Sequence, residues 1–212
     1  MSATMSSTTL QPSTRRPPAP LVIVIAAWFA VVFALGASGA FTAPPKTPPF
    51  ALLIAFVAPI ASGVIAYRVS TRLREWVLGI DTRLLVVLNA WRWAGFSFVV
   101  LYVYGILPGF FAWPAGLGDM AIGATAPLIL GRLSASPAFA SSRAFIRWNR
   151  LGLLDLFVAI SLGAIGGVLL SDQPVTTAPM ATLPLVLIPA FMVPIFILMH
   201  FAMLAQARRH AS

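Results

Sequence analysis

Four residues with ionisable side chains stand inside otherwise apolar stretches of this sequence: Arg92, Asp119, Asp155 and His200. An ionisable group in hydrocarbon costs at least ~2.5–3.5 kcal/mol on insertion scales, so each is retained for chemistry, for pairing, or for both. A guanidinium can hold an anionic group and a carboxylate can balance it. An imidazole changes charge near neutral pH, so it can take and release a proton. Counted from the basic ends of their apolar runs, Arg92, Asp155 and His200 lie at depths of roughly 12, 10 and 9 Å, taking ~1.5 Å of helix rise per residue. Three helices are therefore expected to bring charge to one level. The simplest arrangement is an Arg92–Asp155 ion pair with His200 hydrogen-bonded beside it, because each partner lowers the cost of burying the other. Asn149, next to Trp148, is a candidate for the rim of this site, which is expected to open toward the cytoplasm.

Asp119 reads differently. It follows the stretch Pro108 to Gly118, in which Pro114, Gly116 and Gly118 punctuate a turn, so it is expected in the first turn of a helix on the outer side. A carboxylate there meets the positive end of the helix dipole. The alternative is an outward vestibule in which Asp119 receives a cation or proton, with Phe110, Phe111 and Trp113 anchored at the interface. On either reading Asp119 and Asp155 are expected at opposite depths.

Several chemistries lack their residues. The chain has no cysteine and only two histidines, His200 and His210. Thiolate metal sites and cysteine nucleophiles are therefore excluded. There is no Walker A loop, no dinucleotide glycine fingerprint and no H-E-x-x-H zinc motif. A six-span core with a serine and a late histidine is the layout of the rhomboid intramembrane proteases, but the match is poor. Ala159-Ile160-Ser161-Leu162 replaces the G-x-S-G motif, and Ser161 lies about 10 Å deeper than His200 on helical rise, too far for nucleophile activation. His200 could supply one axial haem ligand, yet no other histidine falls in an apolar run. No cofactor or metal is expected.

The elements that must position these residues follow from composition. Of 212 residues, 59% are hydrophobic and 9% charged, whereas a soluble domain carries roughly 25% charged residues. The apolar residues fall into runs near the ~20 residues that cross hydrocarbon as a helix. The pattern predicts an all-α, polytopic membrane protein: a bundle of six transmembrane helices over 21–41, 50–67, 84–107, 118–133, 148–170 and 184–206, which together make up one membrane domain, 21–206. Residues 1–20, rich in Ser, Thr and Pro, are expected to be a disordered cytoplasmic tail, and 207–212 a short basic one. The first run is too long for the core of a cleaved signal peptide and is expected to be retained. Arg68 to Arg83, with Trp76, Val77, Leu78 and Ile80 among charges, suits a helix lying in the interface.

The basic residues check this count, because cytoplasmic loops hold the excess of Lys and Arg. Arg15 and Arg16 precede span one. Arg68, Arg72, Arg74 and Arg83 lie between spans two and three, Arg132, Arg143, Arg147 and Arg150 between or just inside four and five, and Arg208 and Arg209 after six. Only Lys46, on the opposite side, and Arg92, inside a span, fall elsewhere. Both termini are thus expected in the cytoplasm. The net charge of +9 then reflects orientation in an inner (plasma) membrane and attraction to anionic lipid headgroups, not nucleic-acid binding. Span six carries Pro189 and Pro194, each expected to kink it. Span five carries Ala159, Gly163 and Gly167 on a face for close helix packing.

Together these features point to a small integral membrane protein whose polar site binds or transports a small solute or relays protons. The competing expectation is a non-catalytic accessory or assembly subunit, partnered by another membrane protein or by a second copy. A haem-binding redox subunit comes third.

Overall fold

The computed structural model describes residues 19–211, with side chains as far as Arg209. Of the segment expected to be a tail, 1–20, residues 1–18 lie outside the described residues, and Ala19 and Pro20 instead open α1. Among the described residues every regular element is helical. Helix α1 spans Ala19–Ala37, α2 Phe50–Val69, α3 Thr71–Gly79, α4 Thr82–Ala90, α5 Phe96–Val103, α6 Gly109–Ala135, α7 Arg143–Val168 and α8 Val193–Ala211. Five stretches are long and apolar enough to cross a membrane: 19–37, 50–69, 82–103, 143–168 and 188–209. The expected fourth span corresponds to α6, which is not one of these five. Its 27 residues are ample in length, but glycine, alanine and two prolines replace the large aliphatics of its neighbours. It is also the helix most surrounded by the others, burying Phe111, Ala112, Ala115, Gly116, Ile122, Gly123, Ala126, Ile129 and Leu133.

Local chemistry explains most boundaries. Ser70 breaks the chain between α2 and α3, its Oγ accepting from the Leu73 N–H at 3.2 Å. Asp81 starts α4 in the same way, accepting from the Arg83 N–H at 2.8 Å, and Ser142 starts α7, accepting from the Phe145 N–H at 3.1 Å. Each satisfies a donor that a helix start leaves free. Helix α3 is the surface segment expected between the second and third spans. Gln206 of α8 ties it down, donating to the carbonyls of Val77 and Ile80 at 2.9 and 3.0 Å and accepting from the Thr82 hydroxyl at 2.8 Å. At the other end of the bundle Lys46 pairs with Asp172 at 2.8 Å, joining the α1–α2 connection to the one that follows α7.

The structure departs from the sequence reading at four places. First, α6 begins at Gly109 rather than Gly118. Pro114 and the glycines do not form a turn; they make a surface on which backbones touch. A Cβ added at Gly116 would lie 3.0 Å from the Gly95 carbonyl oxygen, and one at Gly123 would run into the Trp93 and Arg92 backbone. Second, the third span is not uniform: between α4 and α5, Trp91–Gly95 winds as a tighter 3-10 turn. Third, α7 starts at Arg143 rather than Trp148, because Ser142 caps it there. Fourth, the last span opens later than Pro184. That residue follows a cis peptide in a turn, Ile188–Met192 forms a π-helical turn, and α8 carries Arg208 and Arg209 on its final turns. The expected interruption at Pro189 is thus a change of helix type at the helix entrance.

Two apolar clusters fill the bundle toward its ends, and a third, Phe56, Leu156, Val193 and Ile197, packs beside the charged centre. Toward the end that bears Arg83, Arg132 and Arg143, Leu85, Val86, Ile122, Ala126, Ile129, Leu133, Phe145, Trp148 and Met203 pack together. Toward the other end, Phe98, Leu107, Phe111, Ala112, Ala115 and Met180 do the same. Between these levels, in sequence and in space, lie the charged residues. Helix α1 joins the body through Val32 and Gly36 against Val186 and Leu183, and through Trp28 and Phe29 against the Phe191 ring, with centroids 4.7 and 5.2 Å apart. Outward-facing aliphatics such as Ile23, Val24, Ile54, Ile65, Val103 and Leu128 are exposed, as lipid-facing residues are.

Candidate functional site

Arg92 sits in the 3-10 turn between α4 and α5, with its side chain 0% exposed. A guanidinium has five N–H donors and no acceptor, so its partners can be counted. Nε donates to Asp119 Oδ1 at 2.7 Å. Nη2 donates to Asp155 Oδ2. Nη1 donates to the Gly152 carbonyl at 3.4 Å and to His200 Nε2 at 3.0 Å. The guanidinium carbon lies over the Phe196 ring, 5.8 Å from its centroid. One arginine thus joins α6, α7 and α8, and four of its five donors have partners.

The donor count also orients the histidine. Because Nη1 can only donate, His200 Nε2 presents a lone pair, and the ring proton resides on Nδ1. Nδ1 then donates to Asn149 Oδ1 at 2.9 Å, and Asn149 Nδ2 donates to the Phe145 carbonyl at 3.0 Å. The direction is consistent from end to end: Arg92 to His200 to Asn149 to backbone. His200 is neutral in this arrangement. It is wholly buried, as is Asn149, and its ring meets Trp148 edge to face with centroids 5.7 Å apart. Trp148 in turn donates from Nε1 to the Thr125 hydroxyl at 2.9 Å.

Glycines make the room. A Cβ at Gly118 would coincide with the Asp155 carboxylate, one at Gly95 would overlap Asp119, and one at Gly152 would collide with His200. Three elements therefore each lack a side chain where another delivers a charged or polar one.

All five residues singled out from the sequence, Arg92, Asp119, Asp155, Asn149 and His200, fall in this one network. Asp119 requires a correction. With α6 starting at Gly109, it lies ten residues in, about 15 Å from that helix end, and it partners Arg92 instead of capping the helix. Asp155 is twelve residues into α7, about 18 Å from the opposite end. The two carboxylates meet near mid-bundle and not at opposite depths. The expected opening toward the basic end is also revised, because the apolar cluster around Leu85, Phe145, Trp148 and Met203 closes that side. Asp119 and Asp155 keep the only exposure among the charged groups of the centre, 19% and 12% of their side chains.

Sequence reasoning missed Gly95, Gly118, Gly152, Phe196 and Asn89. The glycines carried a signal, since small residues mark close approach in membrane helices, but Gly118 read as turn punctuation and Gly95 and Gly152 drew no reading. Asn89 is fully buried three residues before Arg92. Its Nδ2 donates to the Leu85 carbonyl at 2.9 Å, while its Oδ1 has no partner. Ser161 donates back to the Phe157 carbonyl at 2.7 Å on an exposed face, away from any base. A haem ligand needs a free ring nitrogen, and both nitrogens of His200 are engaged. Among the described residues no group of three or more His, Asp or Glu side chains is placed to hold a metal ion.

No curated protein and no solved structure matches this chain. One family model does, over residues 49–208, a range that holds the whole charged network and leaves out α1. The chain belongs to the family described as "Domain of unknown function (DUF8737)".

Proposed function

We propose that this is a six-span inner-membrane protein, with both termini in the cytoplasm, whose buried charged centre relays protons or carries a small solute. Helix α6 is the sixth span in this reading: it is long enough to cross and runs from the end bearing Lys46 to the end bearing the arginines. The observation that carries the functional proposal is that Arg92 faces two carboxylates, Asp119 and Asp155, delivered by two other helices at mid-bundle. A structural staple needs one counter-charge; the second carboxylate adds a negative charge at a cost that folding alone does not require. The arrangement also reassigns roles. Arg92 is engaged by its own chain, so an anionic solute would have to displace a carboxylate, whereas a proton or a cationic group meets two acceptors that are partly accessible.

The test is proton flux into vesicles reconstituted with the purified full-length chain, read by an internal pH dye under an imposed potassium diffusion potential. Wild type is expected to acidify or alkalinise the lumen faster than protein-free vesicles, and Asp155→Asn, checked for folding by gel filtration and circular dichroism, to fall back to their rate. Equal flux in wild type and Asp155→Asn contradicts the assignment.

One observation favours a second reading, an accessory subunit of a larger membrane complex: the Arg92 side chain is wholly buried and pins four elements together. Co-purification of a stoichiometric membrane partner in mild detergent, with no flux from the isolated chain, selects that reading.

A further inference from the structure

We propose that the outer face of α7, at its basic end, holds an anionic phospholipid whose headgroup is shared by Arg143, Arg147 and Arg150. The site is separate from the charged centre and depends on the functional reading only for the crossing of the membrane by α7.

The three arginines recur at intervals of four and three residues, so they form one row along the helix, and all three are exposed. Their guanidinium groups have no hydrogen-bond or ion-pair partner among the described residues. The chain has only five acidic residues. Asp119 and Asp155 are held by Arg92, and Asp172 pairs with Lys46 at the other end. Asp81 caps α4, which leaves Glu75 on α3 against the whole basic end.

Orientation in the membrane does not account for this placement. A charge bias requires basic residues in the connections, yet the connection between α6 and α7, Ser136 to Ser142, contains none. The helix itself gains nothing from the row. Arg68 and Arg132 stand in the last turns of α2 and α6, where a cation meets the negative end of the dipole. Arg143 instead opens α7, where the dipole favours an anion, and no acidic residue lies in that first turn. Arg147 then adds a like charge four residues on, a spacing at which cations repel across one helix face. An anion reached by these long side chains offsets both costs.

The surface next to the row indicates which anion. Continuing along α7 at three- and four-residue intervals, Leu154, Phe157 and Ile165 are exposed, and Ser161 among them turns its hydroxyl back to the Phe157 carbonyl. The 26 residues of α7 measure about 39 Å at ~1.5 Å per residue, close to the ~40–45 Å that separates the two headgroup surfaces of a bilayer. Arg143 to Arg150 covers about 10 Å of that length, so the row stands in the headgroup layer and the apolar track starts where hydrocarbon starts. A charged head followed by an apolar track fits an amphiphile with an anionic head and an acyl chain. A free phosphate uses only the first part.

The test uses the purified full-length protein in detergent micelles at constant ionic strength. Phosphatidylglycerol is titrated in, with phosphatidylcholine of the same acyl chains as the comparison, and thermal unfolding and native mass spectrometry are recorded. Wild type is expected to show a saturable rise in Tm and to retain phosphatidylglycerol in preference to phosphatidylcholine. The triple change Arg143→Gln, Arg147→Gln and Arg150→Gln is expected to abolish both effects. Arg147→Gln alone is expected to weaken the apparent affinity about fivefold, the contribution of one arginine at an anionic lipid surface. The triple change Arg68→Gln, Arg72→Gln and Arg208→Gln removes the same charge from other exposed positions and is expected to preserve both effects. Equal losses in the two triple variants mean a general attraction to negative charge and overturn the proposal. So does an equal response to the two lipids, or a Tm rise reproduced by sodium phosphate alone. Where the first triple variant does not fold, an unchanged affinity in Arg147→Gln overturns it as well.

Discussion

Arg92 is the hub of a network in which hydrogen-bond direction is fixed by donors that cannot accept. That logic makes the neighbours of the charged groups as constrained as the charges. Gly118 is the sharpest case, because a Cβ there would occupy the place of the Asp155 carboxylate. Gly118→Ala is expected to push Asp155 off Arg92 and to cost about 2–4 kcal/mol of stability, as overpacking next to a buried ion pair does. The same change at Gly131, where a Cβ meets open space, is expected to be neutral or slightly stabilising, since alanine favours helix by ~1 kcal/mol over glycine. Chemical unfolding in mixed micelles compares the two. At this scale the sequence was informative about which residues matter: ionisable groups in apolar runs are conspicuous, and similar depth joined Arg92, Asp155 and His200. It was silent on direction and on the glycine sockets, because neither hydrogen-bond polarity nor interhelix contact is encoded in spacing along one chain.

Helix type and helix start decide which residues meet. Asp119 was misplaced because proline and glycine between Pro108 and Gly118 resemble a turn locally. Within the bundle, Pro114 lies in the second turn of α6, where it gives up one helical hydrogen bond without ending the helix, and Gly116 and Gly123 allow backbone contact with the 3-10 turn that holds Arg92. That turn itself left no mark in the hydropathy of residues 82–103. The surface helix α3 was legible from its mixed charges and aromatics, and its attachment was not: Gln206, more than a hundred residues away, holds the Val77 and Ile80 carbonyls. Gln206→Ala is expected to cost about 1–3 kcal/mol by leaving those acceptors and Thr82 without their partner. It should speed amide exchange across residues 71–81 and leave vesicle proton flux unchanged. Altered flux without faster exchange contradicts the assignment of Gln206 as an anchor.

For the whole molecule, the asymmetry of basic residues predicts orientation, and the structure groups them accordingly: Lys46 meets Asp172 at one end, while Arg68, Arg83, Arg132 and Arg143 gather at the other. The absence of cysteine makes the topology simple to read with single introduced thiols. Thr47→Cys and Ser136→Cys are both on exposed positions at opposite ends of the bundle. A membrane-impermeant maleimide is expected to label Thr47→Cys only from outside intact cells, and Ser136→Cys only in inverted vesicles. Labelling of both from one side contradicts six spans. Five of the six expected spans were legible because lipid imposes a length and an apolar composition on a helix that crosses it. α6 is the exception: its interior position lets it carry glycine, alanine and an aspartate where a lipid-facing helix carries leucine.

The claim on which the rest depends is that Arg92 and Asp155 are energetically one unit within the membrane. A double-mutant cycle of unfolding free energy with wild type, Arg92→Gln, Asp155→Asn and the double variant measures this directly. Arg92→Gln strands two carboxylates and is expected to cost about 3–5 kcal/mol. Asp155→Asn leaves Arg92 paired with Asp119 and should cost less, and the double variant should recover part of the Arg92→Gln loss, a coupling of about 1–3 kcal/mol. Additive losses within ~0.5 kcal/mol would mean that the two residues do not share a centre and would contradict the account.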